Sequence, residues 1–269
     1  MDARIFVGIG GWSFEPWRQT FYPADLPARR ELEYASRRLS AIEINSTYYS
    51  SQAPATFAKW RDATPEGFVF PLKASRFATN RRVLAEAGES VQRFVEGGIT
   101  ELGPKLGPIV WQFAPTKRFD AADFGAFLAL LPRAHAGVAL RHALDVRHPS
   151  FACAEYLALA RAHGMATVFT ESDDYPPIAD LTADFVYARI MRTQSALVQG
   201  CTPEQLDGIA ASARAWSDGG APSGLPRVDA APAPAVPRDT FVFFISGAKE
   251  RAPAAAQAVI ERLRQMPAG

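Results

Sequence analysis

Histidine and cysteine are scarce in this chain, four and two among 269 residues. Cys153 and Cys201 stand far apart and outside any C-x-x-C spacing, which argues against a structural zinc site or a redox dithiol. They read as ordinary small side chains of a reducing compartment. Four histidines are too few for a multi-zinc hydrolytic centre, and His135 and His163 fall on or beside predicted helices. No apolar run is long enough to span a bilayer. The opening MDARIFVGIGGW carries Asp2 and Arg4 and lacks the apolar h-region of a signal peptide. The expectation is a soluble, cytoplasmic protein with no membrane partner. Neither sign of charge dominates: 29 basic residues face 28 acidic ones, for a net charge of +1. A general nucleic-acid binder is strongly basic, so net charge does not support a nucleic-acid partner, although a local basic groove is allowed. A G-x-G-x-x-G turn is missing as well. The first strand runs into GIGGWSFEPW, glycines followed by aromatics, which weakens a doubly wound dinucleotide fold.

What the chain does have is alternation. Strand-like runs at 4–10, 41–45, 68–74, 108–113, 137–146, 165–171, 184–190 and 240–246 are separated by amphipathic stretches at 28–39, 53–63, 82–101, 121–131, 153–163, 202–216 and 253–266. Pro71 weakens the third strand. Gly97-Gly98 is a weak point in the third helix, and Arg141-His142 blurs the start of the fifth strand. Gly164 is placed to cap the fifth helix, and Thr202-Pro203 to start the sixth. Only a short turn separates strands six and seven. Eight strands and seven helices in α/β alternation, over a length usual for such folds, predict a single (β/α)8 TIM-type barrel with a parallel sheet. The segment 218–239, DGGAPSGLPRVDAAPAPAVPRD, is rich in proline, glycine and alanine. It predicts a flexible insertion on the face opposite the active site, one that can be shortened without loss of the fold.

In such a barrel the carboxyl ends of all strands meet at one mouth, where barrel enzymes work. The strand ends here carry Gly10-Gly11-Trp12; Glu43, Asn45 and Tyr48; Lys73, Ser75 and Arg76; Gln112; Asp145, Arg147 and His148; Thr170, Glu171 and Asp173; Tyr187, Arg189 and Arg192; and Ser246, Gly247, Lys249 and Arg251. Glu43, Lys73, Asp145 and His148 are the candidate catalytic groups. Trp12, Asn45, Tyr48, Gln112, Arg147, Tyr187, Arg189, Ser246, Gly247 and Lys249 are the candidate substrate contacts. Buried charges must be paired or presented to a ligand. Two outcomes follow for Glu43, Lys73, Asp145, Arg147 and Arg189: a ligand site, or an internal layer of ion pairs.

Six blocks, GIGGWSFEPWRQTFYP, AIEINSTYYSSQAPATFAKW, TPEGFVFPLKASRFAT, LGPIVWQFAP, DVRHPSF and ADFVYARI, stand in the order seen in the domain of unknown function 72 family, which this chain resembles over about residues 5–246. The resemblance implies a TIM barrel with a site around Trp12, Glu43, Asn45, Tyr48, Lys73, Gln112, Arg147, His148 and Arg189. It implies no reaction. Four departures fall at the presumed mouth: Asp145 where the family usually has Glu, Asn80 where it tends to His, Ile190-Met191-Arg192 in place of Leu-His-Gly, and Ile245-Ser246 in place of an Asn-Asn pair.

Three functions fit these residues. The first is an enzyme acting on a small anionic or phosphorylated compound. Glu43 and His148 would exchange protons, Lys73 and Arg147 would hold negative charge, and the Ser246–Arg251 turn would add an anion cradle. No cofactor is required. The second is a metal-dependent hydrolase or nuclease-like barrel, with a single divalent cation on Glu43, Asp145, His148 and Glu171. The third is a non-catalytic ligand-binding barrel.

Overall fold

The structure, a computed structural model, describes residues 3–18, 20–229 and 233–266. Its strands are β1 (Ile5–Gly10), β2 (Ala41–Glu43), β3 (Phe70–Lys73), β4 (Leu106–Gln112), β5 (Ala134–His135), β6 (Val138–Ala139), β7 (His142–Asp145), β8 (Ala166–Glu171), β9 (Phe185–Ile190) and β10 (Asp239–Phe244). Eight of them form one parallel sheet in the order β2-β1-β10-β9-β8-β7-β4-β3. Bridges between Ala41 and Val69 and between Ile44 and Leu72 bring its two ends together into the barrel. Around it lie α1 (Glu31–Ser36), α2 (Ser46–Tyr49), α3 (Pro54–Asp62), α4 (Arg76–Thr79), α5 (Gly88–Val95), α6 (Ala121–Ala129), α7 (Ala154–His163), α8 (Pro203–Ser217) and α9 (Ala252–Gln265). No described helix is long and apolar enough to cross a membrane.

The strands read as apolar runs because both of their faces are buried. One face meets the helices through Ile9, Ile42, Leu72, Trp111, Leu144 and Phe169. The other fills the barrel with Phe6, Val110, Ala143, Val168, Tyr187, Phe241 and Phe243. Rings from β1, β9 and β10 stack inside the barrel: Phe6 on Phe241 at 4.8 Å and Tyr187 on Phe243 at 5.2 Å. Small residues sit across from them. Gly8 is obligatory, since a Cβ there would lie 1.9 Å from the Ala41 carbonyl oxygen.

Local rules set several boundaries. Thr202 and Gln205 form a reciprocal capping box at the start of α8. Gly164 ends α7 in the left-handed region at φ 64°. The expected helix over 82–101 is broken into α5 and flanking 3-10 turns, because Gly98 adopts φ 97° and Gly103, at φ 54°, precedes Pro104. The expected fifth strand splits into the β5–β6 hairpin and β7, with Ala136 and Gly137 both at positive φ in the turn. His142 is no interruption of that strand. It is buried in the core, accepts from Trp111 Nε1 at 3.0 Å, and holds the Pro132 carbonyl at 2.8 Å through Nε2.

The place after β8 has no helix. There Ile178, Ala179 and Asp180 are buried and bind the connection from α8 to β10. Ala179 N–H donates to the Pro226 carbonyl at 2.9 Å, and the Asp180 carboxylate accepts from the backbone of Val228 at 2.7 Å and of Asp229 at 2.9 Å. Leu225 and Val228 pack on the core. This half of the proline-rich segment is tied to the fold through the stretch that follows β8. Residues 230–232 of the segment lie outside the described ones.

Candidate functional site

The alternation that buries Val168 and Tyr187 in the barrel also turns the last inward residue of six of its strands into a layer across its mouth. That layer is polar: Glu43 on β2, Lys73 on β3, Gln112 on β4, Asp145 on β7, Thr170 on β8 and Arg189 on β9. Arg189 is 1% exposed and bridges the barrel. Its guanidinium grips the Glu43 carboxylate, with Nη2 on Oε1 and Nε on Oε2, and reaches Asp145 Oδ2 at 2.7 Å and Gln112 Oε1 at 3.1 Å through Nη1. Tyr187 donates to Glu43 Oε2 at 2.6 Å. Burial, then the Glu43 carboxylate, push the Tyr187 phenol well above its usual range, so it stays a donor. Burial opposes the Arg189 charge, but Glu43 and Asp145 outweigh it and raise its pKa.

Arg147 lies above this layer. It reaches Asp145 Oδ2 from Nη2 at 3.1 Å and from Nε at 3.3 Å, and Gln112 Oε1 from Nη2 at 2.8 Å. Its guanidinium carbon sits 4.4 Å from the centre of the Tyr175 ring. Among the described residues its Nη1 has no hydrogen-bond partner. Asp145 and Arg147 thus form an internal pair, and Arg189 shares the carboxylate.

Lys73 differs from all of these. It is 9% exposed, and its ammonium lies 4.0 Å from the Tyr48 ring centre. Among the described residues that ammonium makes no hydrogen bond and no ion pair. Burial first, then the Arg189 guanidinium, lower its pKa to about 8. A second group is also unpartnered: the Thr170 hydroxyl, on a residue 1% exposed. With Arg147 above it, the layer sets three cations, Lys73, Arg147 and Arg189, against two carboxylates, and both carboxylates are engaged by arginine.

The other expected residues are placed elsewhere. Asn45 stands above Glu43 with its amide against Gly10. Trp12 packs on Trp60 at 5.2 Å and Phe70 at 6.3 Å, within the helix layer and not on the charged ring. His148 is a capping residue: its Nδ1 accepts from the Ser150 backbone at 3.1 Å and meets Ser150 Oγ at 2.8 Å, and among the described residues it makes no hydrogen bond or ion pair with Glu43 or Asp145. The anion cradle expected at Ser246–Arg251 is not formed. Lys249 turns its ammonium to the Phe14 ring at 4.3 Å, Arg251 donates to the Ser195 carbonyl, and the Ser246-Gly247 turn, at φ 69° and 61°, is pinned to Thr193. Nor do Glu43, Asp145, His148 and Glu171 gather as ligands. Glu171 points away from the barrel into a cavity beside α8, and a guanidinium occupies the space between Glu43 and Asp145. Among the described residues no three His, Cys, Asp or Glu side chains form a metal-binding group.

Two neighbours escaped the selection from sequence. Thr170 was visible at a strand end, and the two-residue alternation from Val168 points it inward. Tyr175 lies in an irregular loop whose path leaves no periodic signal. Beside the mouth, sharing Thr47 and Ser75 with the ends of β2 and β3, a cavity of about 680 Å³ is lined by Arg76, Arg81 and Arg93.

A family model described as "Protein of unknown function DUF72" matches residues 6–269. The UPF0759 protein YecE of Escherichia coli (strain K12) is 25% identical over 150 residues, 55% of this chain and 50% of that protein. The UPF0759 protein YunF of Bacillus subtilis (strain 168) is 25% identical over 116 residues, 41% of this chain and 40% of that one. The chain thus aligns with half or less of the length of these curated relatives. In three dimensions it resembles the crystal structure of a DUF72 family protein from Thermotoga maritima MSB8, with a TM-score of 0.72 at 20% identity, covering 98% of this chain and 100% of that one. At that identity the likeness concerns the fold.

Proposed function

We propose, from the premise that the chain belongs to the DUF72 family of TIM-barrel proteins, that its barrel mouth binds a small anionic compound and that Lys73 meets it. The observation that carries this reading is the unpartnered Lys73 ammonium in a layer where every carboxylate is already engaged. A buried charge without a counter-ion is costly. Either the amine sheds its proton or a ligand supplies the missing negative charge. The free Nη1 edge of Arg147 above the layer and the free Thr170 hydroxyl within it add directional donors. Glu43 serves as a structural counter-ion to Arg189 in this reading, because its two oxygens are taken by Arg189 and Tyr187.

The test is thermal unfolding in phosphate against chloride at matched ionic strength. A ligand at 100 times its dissociation constant stabilises by about 2.7 kcal/mol. For a chain of this size that is a rise of roughly 5–10 °C. Lys73→Met abolishes the phosphate-specific part, while Lys249→Met, whose ammonium is turned to Phe14, keeps it. Equal shifts in phosphate and chloride, or a shift unaffected by Lys73→Met, refute the reading.

A further inference from the structure

We propose that Lys73 is a nucleophile that forms a Schiff base with an aldehyde or ketone group of its anionic ligand, as a 2-oxo acid would present. This rests on the reading of the mouth as an anion site and names the class of compound it takes. Four observations place the chemistry on this one atom. Lys73 ends β3 on the inner face, and its backbone carbonyl is fixed by Thr47 Oγ1 at 2.7 Å. Its amine faces an aromatic ring at 4.0 Å and, among the described residues, no acceptor. The guanidinium groups of Arg189 and Arg147 repel its proton, while the carboxylates of Glu43 and Asp145 that would hold it are bound to those guanidinium groups. The side chain still touches solvent, so water can leave. A lysine recruited only to hold charge is better served by a carboxylate neighbour; a desolvated amine beside other cations is the arrangement that frees its lone pair.

The step balances without oxidant or reductant. The ammonium loses a proton to solvent, and the Nζ lone pair attacks the carbonyl carbon. The carbonyl π electrons move to oxygen, and a proton passes from the now four-bonded nitrogen to that oxygen, giving a neutral carbinolamine. Its hydroxyl takes a further proton and departs as water while the nitrogen lone pair forms the C=N bond. The resulting iminium keeps the positive charge that Lys73 brought. The ligand carboxylate meets the free Nη1 edge of Arg147, and the Thr170 hydroxyl is available to a second oxygen.

The test uses glyoxylate as probe, with sodium cyanoborohydride to reduce the imine to a stable carboxymethyl adduct, located by peptide mass spectrometry. The other four lysines, 59, 105, 117 and 249, are internal controls. An amine with a pKa of about 8 holds about two orders of magnitude more free base at pH 7.5 than an ordinary lysine near 10.4. Lys73 is therefore expected to be labelled about tenfold or more over Lys59, which is exposed. The Lys73 label should rise with pH through about 8. Lys73→Arg keeps the charge and the phosphate stabilisation but loses the adduct. Labelling spread evenly over the lysines, or absent from Lys73, overturns the Schiff base. If phosphate still stabilises the wild type in that case, the anion reading stands alone; if neither signal appears, both readings fall. Acetaldehyde, which has no carboxylate, should label Lys73 less than glyoxylate does. Equal labelling by the two overturns the anionic identity of the ligand and leaves the amine chemistry.

Discussion

Replacing Arg189 by methionine exposes what the polar layer contributes. Arg189 is 1% exposed, and it neutralises Glu43 and Asp145, both fully buried. Methionine matches much of the side-chain length but none of the charge. Tyr187 would still donate to Glu43, and Arg147 would still reach Asp145, so each carboxylate keeps one partner. Among the described residues Glu43 loses its one ion-pair partner. Removing one member of a buried ion pair costs about 3–5 kcal/mol, because the other charge is left uncompensated. The expected result is a loss of that size in urea unfolding followed by far-UV circular dichroism, with a fall in melting temperature of roughly 10 °C. The cost lies in the orphaned charges and not in lost contacts. A triple variant, Arg189→Met with Glu43→Gln and Asp145→Asn, should therefore be more stable than the sum of the single changes predicts, by more than about 1 kcal/mol. A single variant within about 1 kcal/mol of wild type, or strict additivity in the triple, would refute the account of the layer as mutually dependent charges.

Two further outcomes follow from other parts of the fold. Burial lowers the His142 pKa to about 4, below the roughly 6.5 of an unfolded histidine. The unfolded chain then binds the extra proton between those values, so this contribution is full above pH 6.5 and is lost as pH falls. It amounts to about 2 kcal/mol between pH 7 and pH 5. His142→Asn should flatten that part of the stability profile, and an unchanged slope would place the acid sensitivity elsewhere. Asp180→Ala removes the acceptor shared by Val228 and Asp229. It is expected to cost about 1–3 kcal/mol and to speed proteolytic cutting within 218–229; if deleting 222–229 costs nothing, that segment is not a substitute for the missing helix.

The α/β order, the parallel barrel and the polarity of its mouth were legible in the residues themselves. Apolar runs of strand length alternating with amphipathic stretches have one economical solution, in which each strand is covered on both faces and every strand ends at the same rim. The inward direction of Glu43, Asp145 and Arg189 follows from the two-residue period alone. What tertiary structure decided is which of these charges remain available. Asp145 and Arg147 stand two residues apart, yet the same carboxylate oxygen also receives Arg189 from another strand, and only the closed ring brings β7 and β9 to that distance. Lys249 and His148 have the chemistry of site residues, but a neighbouring aromatic ring takes one and a local cap takes the other. In the sequence Lys73 is one strand-end charge among several. It stands apart because the carboxylates that would have paired with it are held by arginines arriving from across the barrel, and pairing among residues far apart in the chain is set by closure of the barrel, which no local pattern encodes.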